Sequence, residues 1–270
     1  MNETKKRILV AAHMGTVGGN IPGNTRASFE IALRQGADII ELDITKSADG
    51  RLFVFHPGTE KKRLGMDVDI RRMDSKEIER LHFVNPDMAP TAHTVAYLAD
   101  MLDFLRDRCI INLDKYFDNP AEISSLVHDM KIQDQVYIKT PATMDFFDKV
   151  AEVAGDIPYM PVVYEKDECF RYLATRHDIR CVGVEAVFSR DDSMLASDEY
   201  IEEMHRLGRL LWINSIRFSD ASPLAGSRCD DNAMYGDPDE VWGWMAKKGF
   251  DIIQTDWTLP LCTYLRMKGY

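Results

Sequence analysis

The sequence lacks any long hydrophobic run. Its first apolar stretch, residues 8–12, is five residues long. A membrane-spanning helix needs about 20 apolar residues, and the core of a signal peptide needs roughly 7–15. We therefore expect no stable membrane insertion and no signal peptide in this chain, and by default a cytoplasmic location.

Positive charge and paired cysteines are also scarce. The chain has 33 Lys and Arg against 44 Asp and Glu, for a formal net charge of −11. This balance disfavours a nucleic-acid partner, which requires a basic surface. It leaves open a small phosphate ester, because a bound metal can supply local positive charge. The five cysteines are odd in number and show no C-x-x-C spacing, so the sequence indicates neither a disulfide framework nor a zinc site.

The chain does contain regularly spaced short apolar runs, with segments of helical character between most of them. The runs comprise residues 8–12, 37–43, 109–114, 136–139, 159–164, 181–188, 210–216 and 251–256. Alternation of buried strands with helices is typical of a parallel sheet. Eight units in 270 residues without a linker predict one (β/α)8 TIM-type barrel domain over residues 1–270.

Two segments interrupt this alternation. After the second run, Asp49-Gly50 lies between extended stretches and predicts a tight hairpin turn. The hairpin would bring His56 back beside the end of the second strand. The second segment, residues 217–235, is rich in Ser, Asp and Ala and has no clear periodicity. Long loops of this kind are often functional, so it is either a lid or a surface insertion.

Candidate site residues are the polar side chains at the C-terminal ends of the strands, where barrel active sites lie. Glu41 and Asp43 are two residues apart on one strand and therefore face the same side. Asp114 on the neighbouring strand adds a third hard oxygen ligand, a set that suits Mg²⁺ or Ca²⁺. The alternative is that these acids form ion pairs with Lys115, Lys139 or arginine residues. The remaining polar residues at these ends are His13, Asn112, Lys139, Glu185, Asn214, Thr255 and Asp256.

Two histidines lie beside the same mouth. His13 and His56 each follow an apolar run directly. Histidine exchanges protons near neutral pH and serves as acid or base in catalysis. A single such histidine is more often structural, but two that flank three carboxylates favour a catalytic site.

The order of these motifs resembles that of the glycerophosphodiester phosphodiesterases. The resemblance is carried by AAHMG, IPGNTRASFE, GADIIELDITKSADG and FHPG in residues 11–58. INLDKY resembles the family's third metal-ligand strand, LWINSI its Trp-containing penultimate strand and GFDIIQTDWTLP its closing segment. The likeness is dense at both ends of the chain and sparse in the middle.

The resemblance implies a role for each candidate residue. It makes His13 and His56 the acid–base pair. It implies one divalent metal ion, Mg²⁺ or Ca²⁺, held by Glu41, Asp43 and Asp114. The substrate-binding candidates are Lys139, Glu185, Trp212 and Asn214. Among these, Trp212 would form an apolar wall for the alcohol portion of the substrate.

The sequence also departs from the family pattern. Met14 occupies the position of a phosphate-binding Arg, Gly23 that of a Glu, and Pro57 that of an Asp. Lys115 follows Asp114 directly, so in a regular strand it would point away from the site. The loss of an Arg removes a bidentate phosphate clamp. Lys139 would compensate for part of it.

We therefore expect metal-dependent hydrolysis of a glycerophosphodiester to a phosphomonoester and an alcohol, with a small-molecule partner. Two alternatives stay open. One is a phospholipase D or C type reaction on lysophospholipids, which predicts an exposed apolar rim around the mouth. The other is a non-catalytic phosphoester-binding protein. The sequence does not indicate an oligomeric state.

Overall fold

The computed structural model describes residues 7–219 and 221–270. In chain order its strands are β1 (Leu9–Ala12), β2 (Ile39–Lys46), β3 (Leu52–Val54), β4 (His82–Val84), β5 (Pro90–Thr94), β6 (Ala96–Tyr97), β7 (Ile110–Asp114), β8 (Val136–Pro141), β9 (Tyr159–Tyr164), β10 (Gly183–Val187), β11 (Leu210–Asn214) and β12 (Ile252–Thr255). Its α-helices are α1 (Arg26–Gln35), α2 (Glu60–Leu64), α3 (Ser75–Ile78), α4 (Leu98–Leu105), α5 (Pro120–Met130), α6 (Met144–Ala154), α7 (Phe170–Thr175), α8 (Asp198–Arg206), α9 (Asp230–Tyr235), α10 (Trp242–Lys248) and α11 (Thr258–Lys268).

Eight of the strands close into a parallel barrel. Their order around the ring is β1, β2, β7, β8, β9, β10, β11 and β12. The ring closes because β1 pairs with β2 on one side and with β12 on the other. Each barrel strand lies within a few residues of one apolar run in the sequence. The predicted TIM-type barrel is therefore confirmed.

The barrel interior changes from apolar to polar along the strands. Ala11, Ile39, Met160, Trp212 and Ile252 form a buried apolar cluster inside the ring. Two residues further along β1, β2, β11 and β12, on the same face, the side chains are polar: His13, Glu41, Asn214 and Gln254. A polar C-terminal mouth above an apolar plug is the arrangement that barrel enzymes use for their sites.

The predicted hairpin follows β2. Ile44 pairs with Val54 and Lys46 with Leu52 in antiparallel register, around the Asp49-Gly50 turn. The chain from residue 57 to 97 then forms α2, α3 and strands β4 to β6, which the sequence did not predict. These elements are two to five residues long, too short for a periodic pattern. They pack on a separate apolar cluster: Phe53, Phe55, Leu64, Ile70, Ile78, Leu81, Phe83 and Val95.

Helix length bears on the question of membrane insertion. Among residues 7–219 and 221–270, every helix is too short or too polar to cross a bilayer. The description of residues 1–270 as a single domain stays a prediction.

Candidate active site

A cavity of about 230 Å³ opens at the C-terminal mouth of the barrel. The pairing of β2 with β7 sets Glu41 beside Asn112 and Asp43 beside Asp114. These four residues line the cavity together with His13. The structure therefore brings the predicted metal-ligand residues to one place, as expected from their positions at the strand ends.

Three carboxylates meet in this cavity. Glu41, Asp43 and Asp114 offer oxygen atoms that all lie within 4.8 Å of one another. Burial, followed by the charge of Asp43, raises the pKa of Glu41 to about 8. Burial and the charge of Asp114 also raise the pKa of Asp43. Carboxylates that repel one another in this way fit a hard divalent cation, which takes oxygen ligands and removes the repulsion.

Hydrogen bonds fix the orientation of two of the carboxylates. The backbone N–H of Met14 donates to Glu41 Oε2 at 2.8 Å. Asn24 Nδ2 donates to Asp43 Oδ2 at 2.8 Å, and Asn24 Oδ1 accepts from the backbone N–H of Asp43 at 3.2 Å. Asn24 has a φ of 61°, a left-handed conformation that Asn tolerates better than most residues. The next residue, Thr25, caps the N-terminus of α1, so the Asn24 side chain is free to hold Asp43.

The expectation that Lys115 points away from the site is wrong. Strand β7 ends at Asp114, and Lys115 adopts a left-handed conformation with a φ of 59°. This turn brings Lys115 Nζ to 3.1 Å from Asp114 Oδ2, and both residues line the cavity. Burial alone would raise the pKa of Asp114, but the charge and hydrogen bond of Lys115 lower it. The prediction failed because it assumed that the strand continues past Asp114.

His13 is paired with a carboxylate that the sequence analysis noted but gave no role. His13 Nδ1 lies 2.8 Å from Asp256 Oδ1, at the end of β12. Burial alone would lower the pKa of His13, but the hydrogen bond to Asp256 and the charge of Glu41 raise it to about 9. Because Nδ1 faces the carboxylate, Nε2 is the ring atom left for chemistry. Asp256 could have been selected from the sequence, since β12 is adjacent to β1 in a closed barrel.

The hairpin brings His56 to the same mouth, as predicted. The backbone N–H of Phe55 donates to Asp43 O at 3.0 Å, which extends the β2–β3 pairing to the residue before His56. His56 Nδ1 donates to the carbonyl of Pro57 at 3.0 Å, and Nε2 lies 3.8 Å from Asp43 Oδ1. A carbonyl can only accept, so His56 carries its proton on Nδ1 when neutral. Nε2 is then free to accept a proton.

The departures at Met14 and Gly23 are structurally coupled. Met14 is buried and has a φ of 54°. A Cβ atom added at Gly23 would lie 2.9 Å from the Met14 Cβ, so a larger residue at 23 requires this loop to shift. Arg63 Nη2, on α2, lies 3.0 Å from the Met14 sulfur.

The floor of the cavity is a connected polar network. Lys139 Nζ lies 2.7 Å from Glu185 Oε2, and Asn214 Nδ2 donates to Glu185 Oε1 at 2.6 Å. These three predicted substrate-binding residues line the cavity. Trp212 does not: it is fully buried, and Lys139 Nζ lies 3.1 Å above its ring centroid. The predicted apolar wall at Trp212 is therefore wrong, because its side chain belongs to the layer beneath the polar floor.

A different set of residues forms the apolar wall. Phe218 is 67% exposed and Tyr164 60% exposed, although both line the cavity. The Phe218 ring lies 6.0 Å from the His13 ring in an edge contact. The complete apolar lining is Phe117, Pro141, Val162, Tyr164, Val187, Ile216, Phe218 and Leu224. These residues could not be recognised from the sequence, because an apolar side chain at a strand end looks the same whether it lines a cavity or fills the core.

The segment 217–235, predicted to be either a lid or a surface insertion, contributes to this wall. It supplies Phe218 and Leu224 to the cavity. Its chain is held by backbone hydrogen bonds between Phe188 and Leu224 and between Gly226 and Phe188. It ends in α9, a short helix without apolar periodicity in the sequence. Closure over the substrate stays a prediction.

Comparisons with known proteins agree with the resemblance stated above. The model of the glycerophosphoryl diester phosphodiesterase family matches residues 16–211. A second model, described as a domain of unknown function (DUF4996), matches residues 159–265. A glycerophosphodiester phosphodiesterase of Bacillus altitudinis is 27% identical over 174 residues, which is 58% of this chain and 71% of that protein.

Solved structures share the fold. A glycerophosphoryl diester phosphodiesterase of Parabacteroides distasonis superposes with a TM-score of 0.77 at 18% identity, covering 98% of this chain and 88% of that one. A phosphodiesterase of Oleispira antarctica, solved with the product sn-glycerol-3-phosphate, gives a TM-score of 0.68 at 14% identity over 96% of each chain. Since the family model spans well over half of the 270 residues, the chain belongs to the glycerophosphoryl diester phosphodiesterase family of phosphoric diester hydrolases.

Proposed function

We propose that the protein hydrolyses a glycerophosphodiester to a phosphomonoester and a free alcohol, with a divalent metal ion and two histidines. The observation that carries the proposal is the presence of both histidines and all three clustered carboxylates in one cavity. The family membership supports the reaction class. The similarity to a glycerophosphodiester phosphodiesterase of Bacillus altitudinis and to an Oleispira phosphodiesterase that binds sn-glycerol-3-phosphate supports the glycerol moiety.

Glu41, Asp43 and Asp114 would hold the metal ion, either Mg²⁺ or Ca²⁺. A cation at these oxygens supplies positive charge that neutralises a non-bridging phosphate oxygen in the transition state. Asn24 and the Met14 N–H keep two of the carboxylates oriented, and Lys115 adds a further positive charge beside Asp114.

The hydrogen-bond partners of the two histidines suggest their initial roles. His13 is backed by the Asp256 carboxylate, which stabilises a protonated ring, so it suits the acid. His56 is backed by the neutral carbonyl of Pro57 and keeps Nε2 available, so it suits the base. Both histidines then exchange roles in a second step.

The reaction proceeds in two steps, formation of a cyclic phosphate and its hydrolysis. In the first, a substrate hydroxyl next to the phosphate gives its proton to His56 and its oxygen bonds to phosphorus. The bond to the leaving alcohol breaks, and His13 donates a proton to that oxygen. In the second, His13 takes a proton from water, whose oxygen opens the cyclic phosphate. His56 returns its proton to the released hydroxyl oxygen, which restores both histidines.

The first test is hydrolysis of a panel of glycerophosphodiesters after treatment with EDTA, followed by addition of Mg²⁺, Ca²⁺ or Mn²⁺. Bis(p-nitrophenyl) phosphate, which has no hydroxyl next to its phosphate, is the control diester that this mechanism should not turn over. We expect turnover that EDTA abolishes and that one metal restores. Metal-dependent binding of the diester by folded protein without turnover would instead identify a phosphoester-binding protein.

A second candidate, a phospholipase-type reaction on lysophospholipids, is favoured by the exposed aromatic residues of the wall. Phe218 and Tyr164 form the exposed apolar rim that this alternative requires. An acyl chain that covers them would add favourable apolar burial, about 25 cal/mol per Å². Comparing a lysophospholipid with its deacylated glycerophosphodiester, which has the same head group, tests this candidate. A preference for the acylated substrate supports it, and equal or lower activity rejects it.

A further inference from the structure

Asp230 is a buried carboxylate outside the cavity, and no step above uses it. It is the first residue of α9 and is only 3% exposed. Its side chain bonds away from its own helix: Oδ1 accepts from Trp242 Nε1 at 3.0 Å, and Oδ2 accepts from Thr255 Oγ1 and the backbone N–H of Asp256, each at 2.8 Å. Burial raises its pKa to about 6. The Ser215 side chain also hydrogen-bonds this carboxylate. A buried acid is costly for the fold unless its hydrogen bonds compensate for the lost hydration.

The contacts of Asp230 converge on the peptide that holds His13. The backbone N–H of His13 donates to Thr255 O at 3.1 Å, and the His13 ring bonds to the Asp256 side chain. Asp230 binds the hydroxyl of Thr255 and the N–H of Asp256. Asp230 therefore fixes both residues that hold His13: Thr255, which bonds to the His13 backbone, and Asp256, which bonds to the His13 ring.

We propose that Asp230 is a positioning residue that sets the orientation of the Asp256 carboxylate and, through it, of the His13 ring. The inference rests on the catalytic role of His13 given above. It assigns to segment 217–235 a second contribution besides its part in the cavity wall. Movement of this segment at Asp230 would be transmitted to His13 through Thr255 and Asp256.

The variant Asp230→Asn tests the proposal with almost no change in volume. The backbone N–H of Asp256 and the indole N–H of Trp242 can only donate, and they face different oxygens of Asp230. An asparagine must therefore direct its NH2 group at one of these donors. When the NH2 group faces the Asp256 N–H, two donors meet, so the turn shifts and the His13 ring loses its alignment. We expect kcat to fall by about 10–100-fold, as for other residues that orient a catalytic group, with KM changed less than about twofold.

A second substitution should rescue this defect. Trp242→Phe removes the donor opposite Oδ1, and the Ser215 Oγ that shares the Trp242 N–H at 3.0 Å becomes available as an acceptor. In Asp230→Asn/Trp242→Phe the amide NH2 can face Ser215 while its oxygen accepts from the Asp256 N–H. We expect the double variant to recover most of the lost kcat. A residue that only stabilised the fold would not be rescued by removing a further buried hydrogen bond.

Two further readouts separate positioning from stability. In an Asp256→Asn background His13 has already lost its carboxylate, so adding Asp230→Asn should lower kcat no further, although melting temperature should still fall. Independently of activity, the downfield NMR resonance of His13 Nδ1–H, assigned by its loss in Asp256→Asn, should disappear in Asp230→Asn and return in the rescued variant. The proposal would be overturned if Asp230→Asn lowered kcat equally in the wild-type and Asp256→Asn proteins, or if it left the His13 resonance unchanged. Absence of diesterase activity in the wild-type protein would instead refute the proposed function and leave the resonance test intact.

Discussion

The two sides of the cavity are built from different parts of the chain. The ionic side, His13, Glu41, Asp43, His56 and Asp114, lies on β1, β2, β7 and the hairpin, all within the first 114 residues. Most of the apolar side comes from the chain after β8, including Val162, Tyr164, Val187 and Phe218. Val162, Tyr164 and Val187 lie where the two family matches overlap, and Phe218 lies only in the part matched by the domain of unknown function. We infer that the ionic side carries the reaction chemistry, whereas the apolar side contacts the substrate alcohol.

Removal of either histidine should have the largest effect and would test the ionic side directly. We expect His13→Ala and His56→Ala each to lower kcat by about 10²–10⁴-fold, the range for a lost general acid or base. Calorimetric metal affinity should change little, because neither histidine belongs to the carboxylate cluster. His177→Ala, at an exposed position, is the matched control. Full rates in both site variants would mean that the chemistry is not on this side of the cavity.

Asp43→Asn should have the next largest effect. Asp43 is almost fully buried and accepts a hydrogen bond from Asn24, which an amide oxygen can also accept, so the asparagine keeps the shape of the side chain but loses its charge. Lewis-acid stabilisation contributes several kcal/mol, which corresponds to a loss of about 10²–10³-fold in kcat/KM. Metal affinity should fall in parallel, in contrast to the histidine variants. The exposed Asp118→Asn is the control, and an unchanged metal titration of Asp43→Asn would rule out the cluster as the metal site.

The sequence predicted the ionic side almost completely, for a physical reason. Each of its residues lies within or directly after a buried barrel strand, or follows a hairpin with a strong turn signal, so local periodicity indicates its position. Lys115 was misjudged because a single left-handed residue ends β7, and no feature of the sequence indicated that φ of 59°. Trp212 was misjudged because the depth of a residue along a barrel strand depends on strand stagger, which arises only when the ring closes.

The apolar side could not be predicted in the same way. Phe218 and Leu224 lie in a segment without periodicity, and their place in the cavity depends on contacts with Phe188 and on the attachment of Asp230 to β12. The insertion at 57–97 was missed because its elements are too short to show a pattern. Tertiary contacts, rather than local propensity, determine both regions.

Phe218→Ala tests the apolar side of the comparison. Full burial of a Phe side chain contributes about 1.5–3 kcal/mol of favourable free energy, and one third of the Phe218 surface is already buried. We therefore expect KM to rise about tenfold for a diester with an acyl or aromatic alcohol and to stay constant for glycerophosphoglycerol. Tyr235→Ala is the control, since Tyr235 lies in the same segment and is 80% exposed but does not line the cavity. If Phe218→Ala raised KM equally for both substrates, Phe218 would hold the His13 ring in place rather than determine specificity.

The smallest expected effect, a small change in melting temperature, is that of Asp49→Asn. This variant tests whether the position of His56 depends on the tip of the hairpin. Asp49 accepts hydrogen bonds from Ser47 Oγ at 2.6 Å and from the N–H and Oγ of Ser75 at 2.9 and 2.6 Å. These bonds lower its pKa to about 2, below the value of about 4 for an unfolded chain. A lowered carboxyl pKa contributes stability that is present above the unfolded pKa and is lost as the pH falls through the folded one.

The melting temperature of Asp49→Asn should therefore lie slightly below that of the wild-type protein at pH 7, and the difference should shrink between about pH 4 and pH 2. The matched control is Asp87→Asn, an exposed acid in the turn between β4 and β5. Because Asp49 joins the hairpin tip to the start of α3 rather than to His56, kcat at pH 7 should be unchanged. A fall in kcat as large as that of His56→Ala would mean that the position of His56 depends on the hairpin tip, and the ionic side would then rely on tertiary contacts as much as the apolar side does.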